Sequence, residues 1–93
     1  MDDWGRAVSR SGLPFAVKTL GLILATFAVD GVAAPGVEQL QVALRRGRTS
    51  ISQYLAVLES AGYVRLVARG NRRKGEKDIW RLTIPDHVQP VEQ

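Results

Sequence analysis

The side chains best able to do recognition chemistry lie between Arg45 and Lys77. Arg48, Thr49, Ser50, Ser52, Gln53 and Tyr54 place guanidinium, hydroxyl, amide and phenol groups within two helical turns. Arg and Gln can each form paired hydrogen bonds with base edges, and short Ser and Thr side chains let a backbone approach closely. Further along, Arg69, Arg72, Arg73, Lys74 and Lys77 surround Gly70, Asn71 and Gly75. That segment is too polar to pack, and its cations suit phosphate oxygens. Arg45 and Arg46 sit just ahead of the first group. The chemistry on offer is hydrogen bonding and charge neutralisation.

Bond-making chemistry has no matching constellation. The chain has no cysteine, and its one histidine, His87, stands between Asp86 and Val88 without a second ligand nearby. No serine occupies a nucleophile-elbow pattern, and the carboxylates are scattered. Gly70 and Gly75 mimic the spacing of a phosphate loop. However, Glu76 follows where Lys is required, and the segment joins two strands instead of a strand and a helix. The expectation is a protein that is not an enzyme, with no cofactor, no metal and no small-molecule ligand.

The elements that must hold these side chains can be read from periodicity. Residues 1–12 are polar and read as a flexible N-terminal arm, with Trp4 able to dock on the body. Pro14 starts a helix that runs to about Val29 and stops at Asp30-Gly31. Ala16, Leu20, Ile23, Leu24 and Phe27 form its core face. Phe15, Leu22 and Val29, seven apart, make a second apolar stripe on nearly the opposite face. Either the arm or the tail covers that stripe, or it is the seam of a homodimer. A loop over 31–36 leads to a second helix at 37–44 that buries Val37, Leu40, Ala43 and Leu44. Arg45-Arg46-Gly47 is the turn, and a third helix spans 48–61 with Ile51, Leu55 and Leu58 buried. Gly62 ends it as a left-handed cap. Two alternating strands come next. On the first, Val64, Leu66 and Ala68 face one way and Arg65, Val67 and Arg69 the other; Trp80, Leu82 and Ile84 face in on the second. The basic loop 70–77 joins them, and residues 85–93 form a tail.

At 93 residues the chain makes one domain, and a hydrophobic share of 45% is ordinary for a globular protein. Net charge is +4, but its placement matters more. Arg65, Arg69, Arg72, Arg73, Lys74, Lys77 and Arg81 face only Glu76 and Asp78 across their segment, and Arg45, Arg46 and Arg48 form a second cluster. The rest of the chain is net acidic. Clustered positive charge is the footprint of a polyanion binder. The longest apolar stretch, Leu20–Val29, is too short for a membrane span, and no secretory signal opens the chain. A cytoplasmic, nucleoid-associated protein with no membrane partner is expected.

Together these features predict an α+β fold, a winged helix-turn-helix of three helices followed by a two-stranded hairpin, over residues 13–84. Helix 48–61 would enter a DNA major groove, with Thr49, Ser50, Gln53 and Tyr54 reaching in and Gln53 foremost as base reader. Arg46 and Arg48 would hold phosphates on the near rim, or Arg48 would read a guanine. The loop 70–77 would lie on the backbone or in the adjacent minor groove. Double-stranded DNA is the expected partner, and a transcriptional repressor acting by occlusion the expected role. The alternatives are a plasmid or phage replication, partition or conjugation protein, and a winged helix that docks on an acidic protein.

The run Ile51-Ser52-Gln53-Tyr54-Leu55-Ala56-Val57-Leu58-Glu59-Ser60-Ala61-Gly62-Tyr63-Val64-Arg65 resembles the corresponding segment of ArsR-type repressors. Their pattern is Val-Ser-Gln-His-Leu…Leu…Ala-Gly-Leu-Val, and the MarR-like regulators are similar. The resemblance covers about residues 37–84. It implies a compact winged helix that binds operator DNA as a dimer, with Ser52, Gln53 and Tyr54 at DNA-contacting positions. Tyr54 stands where a histidine is frequent. The cysteine motif of the metal sensors has no counterpart here. Neither has the long C-terminal dimerisation helix, so neither metal sensing nor that dimer mode carries over.

Overall fold

The computed structural model describes residues 2–85; the tail expected over 85–93, with His87, lies outside them apart from Pro85. The elements are α1 (Asp2–Ser9), α2 (Phe15–Thr26), β1 (Val32–Ala33), α3 (Val37–Leu44), α4 (Arg48–Ser60), β2 (Val64–Ala68), a 3-10 turn (Arg72–Lys74) and β3 (Ile79–Leu82). They form an α+β domain in which helices cover one face of an antiparallel sheet ordered β1-β3-β2.

The flexible arm is a correction. Residues 2–9 are helical, and Trp4 and Val8 are buried in the common core. Gly21 of α2 makes this possible. A Cβ there would stand 3.2 Å from Val8 Cγ1 and 3.4 Å from Trp4 Cη2, so α1 lies directly on the α2 backbone. That contact turns the buried face of α2 toward Val17, Leu20, Gly21 and Leu24. Ala16, Ile23 and Phe27, expected inside, are only half-buried. Leu20, Leu24, Leu40, Ile51 and Leu58 form the fully enclosed centre.

The loop expected over 31–36 begins instead with a tight hairpin. Asp30 (φ 55°) and Gly31 (φ 79°) are both left-handed, and Val29 and Val32 exchange hydrogen bonds at 2.8 and 3.1 Å. Asp-Gly favours this two-residue turn because its twist matches the flanking strands. Val32 and Ala33 then pair with Arg81 and Trp80.

Helices α3 and α4 fall where periodicity places them, although Ala43 is exposed. Gly62 (φ 90°) ends α4, and Tyr63 N–H reaches back to Leu58 O at 2.9 Å. On β2 and β3, Val64 and Trp80 are buried and Leu66 and Leu82 half-buried. The inward alternation stops after Leu66. A bulge pairs Ala68 with Ile79, and both Val67 and Ala68 are exposed. An extra residue in one strand reverses the facing of the residues beyond it. Ile84, expected inside, is 46% exposed because β3 ends at Leu82.

Candidate nucleic-acid interface

Helix α4 is set by its two ends. Arg45 takes a left-handed conformation (φ 57°, ψ 45°), closing α3 through Arg46 N–H to Gln41 O at 3.2 Å. Gly47, extended, caps α4, whose first turn is fixed by Ile51 N–H to Gly47 O at 3.1 Å. Ile51, Leu55 and Leu58 anchor the inner face. Opposite them, Thr49, Gln53, Ala56 and Ser60 form an exposed row at helical spacing. Every member is short or an uncharged amide. Arg48 and Ser52 are exposed on the flank beside this row, with Glu59 further along the same flank near the C-terminal end.

Two expected contact residues sit differently. Tyr54 is half-buried and packs against the core cluster, and Ser50 is half-buried on the same side. Arg45 and Arg46 are exposed in the turn. Periodicity puts Ala56 outside the buried stripe, as observed, and the structure adds Ser60, one turn beyond, to the outward row. Their value is steric, since they keep the surface low around Gln53.

The basic loop has a defined shape. Gly70 is required by contact: a Cβ there would stand 2.4 Å from Glu76 O and 2.5 Å from Lys77 C. Gly70 N–H donates to Asp78 Oδ1 at 2.8 Å, Asn71 N–H to Glu76 Oε1 at 3.3 Å, and Arg73 N–H to Asn71 Oδ1 at 2.9 Å. Lys74 and Glu76 N–H both return to Asn71 O, at 3.0 and 2.9 Å. Both carboxylates of the loop therefore serve its own backbone amides. Arg69, Arg73, Lys74 and Lys77 are exposed around them. Arg72 contributes its backbone to the 3-10 turn; its side chain lies outside the described part.

The loop lies beside α4. Gly75, Glu76, Lys77 and Asp78 line one groove with Arg48 and Leu55 of α4 and with Gly36 and Val37 at the start of α3. Gln39 ties the far wall: its Oε1 accepts Gly36 N–H at 2.7 Å and Lys77 Nζ at 3.4 Å. This tether between α3 and the loop base had no signature in the sequence, since it joins residues 38 apart. Comparison with protein-family models, curated proteins and solved structures finds no match to this chain.

Of the expected base-reading residues only Arg48 lines this groove with the loop; Thr49, Ser50, Ser52, Gln53 and Tyr54 do not. The outward row of α4 offers an amide and hydroxyls, and the loop offers clustered positive charge. Such a surface can hydrogen-bond a polar edge while neutralising a chain of anions. The apolar residues lie elsewhere, and not on one helix: α2 ends at Thr26, short of the expected Val29, so Phe15 (84% exposed) and Leu22 (42%) stand on α2 while Val29 (72%) belongs to the hairpin beyond it. Thr19 and Thr26 turn their hydroxyls onto their own helix, at Phe15 O and Ile23 O, and so contribute methyl groups beside the stripe. Lys18, the one charged residue of α2, reaches back to Ser9 O at 3.1 Å. Among the described residues no helix is long and apolar enough to cross a membrane, and no cluster of His, Asp or Glu is placed to hold a metal.

Proposed function

We propose that this chain is a winged helix-turn-helix protein that binds double-stranded DNA in a sequence-specific manner, as a small transcriptional regulator of the repressor type. The order α2, β1, α3, α4, β2, basic loop, β3 fits that architecture. One observation carries the reading: Arg48, on the flank beside the exposed polar row of α4, lines one groove with Gly75–Asp78 of the loop. The row enters the major groove, with Gln53 forming paired hydrogen bonds to a base. Thr49 and Ser52 lie alongside it, and Arg48 stands on the rim. Arg69, Arg73, Lys74 and Lys77 neutralise phosphates on the flanking backbone. Glu59 lies toward the C-terminal end, where repulsion from phosphate is least.

The apolar face of α2 supports a homodimer. It carries no charge toward solvent apart from the retracted Lys18, so a second copy meets it without repulsion. Two copies would present two copies of α4 to an inverted repeat. Selection of bound sequences from a random duplex pool tests the reading, followed by titration of the selected and a scrambled duplex over a salt series. A preferred sequence is expected, with log K falling against log salt at a slope of about −4 to −5 for five phosphate contacts. Enrichment of no sequence, with no salt dependence, would overturn it.

A further inference from the structure

Strand β2 changes face part-way along. Val64, Arg65 and Leu66 oppose Leu82, Arg81 and Trp80 in turn. Arg65 and Arg81 therefore stand on the outer face, and Leu66 and Trp80 on the face that meets the helices. The next pair is Ala68 with Ile79, so β2 advances two residues where β3 advances one. Ile79 precedes Trp80 and lies on the outer face, and so does Ala68 opposite it. Val67 and Ala68 are accordingly both exposed. Arg69, one residue on, returns to the side of Leu66 and Trp80. Unbroken alternation would have left it outside with Arg65. The neck of the loop fixes the strand end there, since Gly70 N–H donates to Asp78 Oδ1 at 2.8 Å. Asp78 and Trp80 line one groove with Arg48 and Leu55, so this is the side on which α4 stands.

We propose that this bulge is a positioning element for DNA binding. The extra residue, Val67, brings Arg69 onto the α4 side of the sheet, where it grips the backbone of the duplex that α4 reads. Arg65 and Arg81 stay off that duplex. This rests on the proposed DNA binding and says which strand arginine serves it. A bulge bends its strand and re-aims the side chains beyond it. Cover on the helix side thins toward the loop: Val64 is buried, Leu66 half-buried and Arg69 exposed. A cation at that point stays in water while standing on the DNA side, and its planar fork suits paired phosphate oxygens. Val67 acts through the residue count and not through its side chain, which is half exposed on the outer face.

The test compares variants of the full chain by titrating the selected and a scrambled duplex over a salt series. R69A should weaken both duplexes alike and flatten the salt slope by about one, for one phosphate. The exchange A68R/R69A keeps composition and net charge but turns the guanidinium to the outer face, so it should behave as R69A does. Deletion of Val67 removes the bulge yet leaves Ala68 opposite Ile79, so Arg69 keeps its side and binding should match wild type. R65T/R81T should keep the wild-type slope. The chain has no cysteine, so single nitroxide labels at R69C and A68C check the facing without DNA. The label at 69 should broaden amide signals around Arg48, and the label at 68 those of Val32 and Arg81. Circular dichroism confirms that each variant is folded.

A wild-type slope in R69A or in A68R/R69A, with the selected duplex still preferred, overturns the positioning role and leaves the proposed function intact. Equal loss on exchange and on deletion makes the bulge a feature of sheet stability alone and overturns the proposal. A slope flattened by R65T/R81T as much as by R69A shows that facing does not sort the arginines, and overturns it too. Absence of duplex binding in wild type overturns the proposed function and the positioning role together, even where the nitroxide labels report the expected sides.

Discussion

The indole Nε1–H of Trp4 is shared between two carbonyls, Tyr63 O at 2.9 Å and Thr83 O at 2.8 Å. Tyr63 precedes β2 and Thr83 follows β3, so one side chain near the N-terminus ties both strands that carry the basic loop. Thr83 completes the knot through N–H to Tyr63 O and Oγ1 to Gly62 O, at 2.9 and 2.6 Å.

Removing that donor tests whether α1 is structural. Trp4→Phe keeps most of the packing but leaves Thr83 O without its partner, which costs about 1–3 kcal/mol. Trp4→Ala adds a cavity and should cost about 3–5 kcal/mol. At this size each kcal/mol lowers Tm by about 4–8 °C. Thermal unfolding followed by circular dichroism reads both. An unchanged Tm for Trp4→Ala would mean that α1 is not docked in solution.

Gly70→Ala isolates the loop from the fold. The new methyl group has to displace the backbone at Glu76 and Lys77. The core lies elsewhere, so helix content and the near-ultraviolet signal of Trp4 and Trp80 should persist. Amide exchange at Asn71–Glu76 should quicken, and duplex affinity should fall roughly uniformly across sequences. Wild-type exchange rates in the variant would show that the narrow neck does not constrain the loop.

The apolar stripe on α2 makes a prediction of mass. Phe15 is 84% exposed and Leu22 adjoins α1, where a Cβ on Gly5 would stand 3.8 Å from Leu22 Cδ2. Phe15→Lys is therefore the cleaner probe, since it leaves the core untouched. Sedimentation equilibrium should give a dimer for wild type and a folded monomer of unchanged Tm for the variant. A wild-type monomer at every concentration would discard the seam.

Legibility in the sequence tracked the physics of each element. Helix α4 could be placed to within a residue because Ile51, Leu55 and Leu58 repeat at helical spacing between Gly47 and Gly62. The strands were visible by alternation, but the bulge at Val67 was not, since it depends on how β3 pairs. Strand β1 has two residues, too few to alternate; the Asp30-Gly31 pair was its only trace. Helix α1 was missed because it is polar except for Trp4, Ala7 and Val8, and its stability comes from a glycine on another helix. At the candidate site, side-chain chemistry was readable while partnership was not. Neither the Gln39–Lys77 contact nor the opposition of Arg65 and Arg81 exists until the chain is folded.

Gln53 and Arg73 separate readout from grip. Gln53 stands in the middle of the outward row of α4, between Thr49 and Ala56, so Gln53→Ala removes paired hydrogen bonds without touching the core. Discrimination between the selected and the scrambled duplex should shrink by ~1–3 kcal/mol, with the salt slope unaltered. Arg73 is exposed in the 3-10 turn, held there by its backbone N–H on Asn71 Oδ1 and not by its guanidinium. Arg73→Ala should therefore keep the loop's shape, weaken both duplexes alike and flatten the salt slope by about one. Fluorescence anisotropy across a salt series measures both quantities on the same protein. If the two variants traded these signatures, the base-reading element would be the loop and α4 the backbone contact. If neither changed binding, the groove between Arg48 and Lys77 would not be where DNA sits.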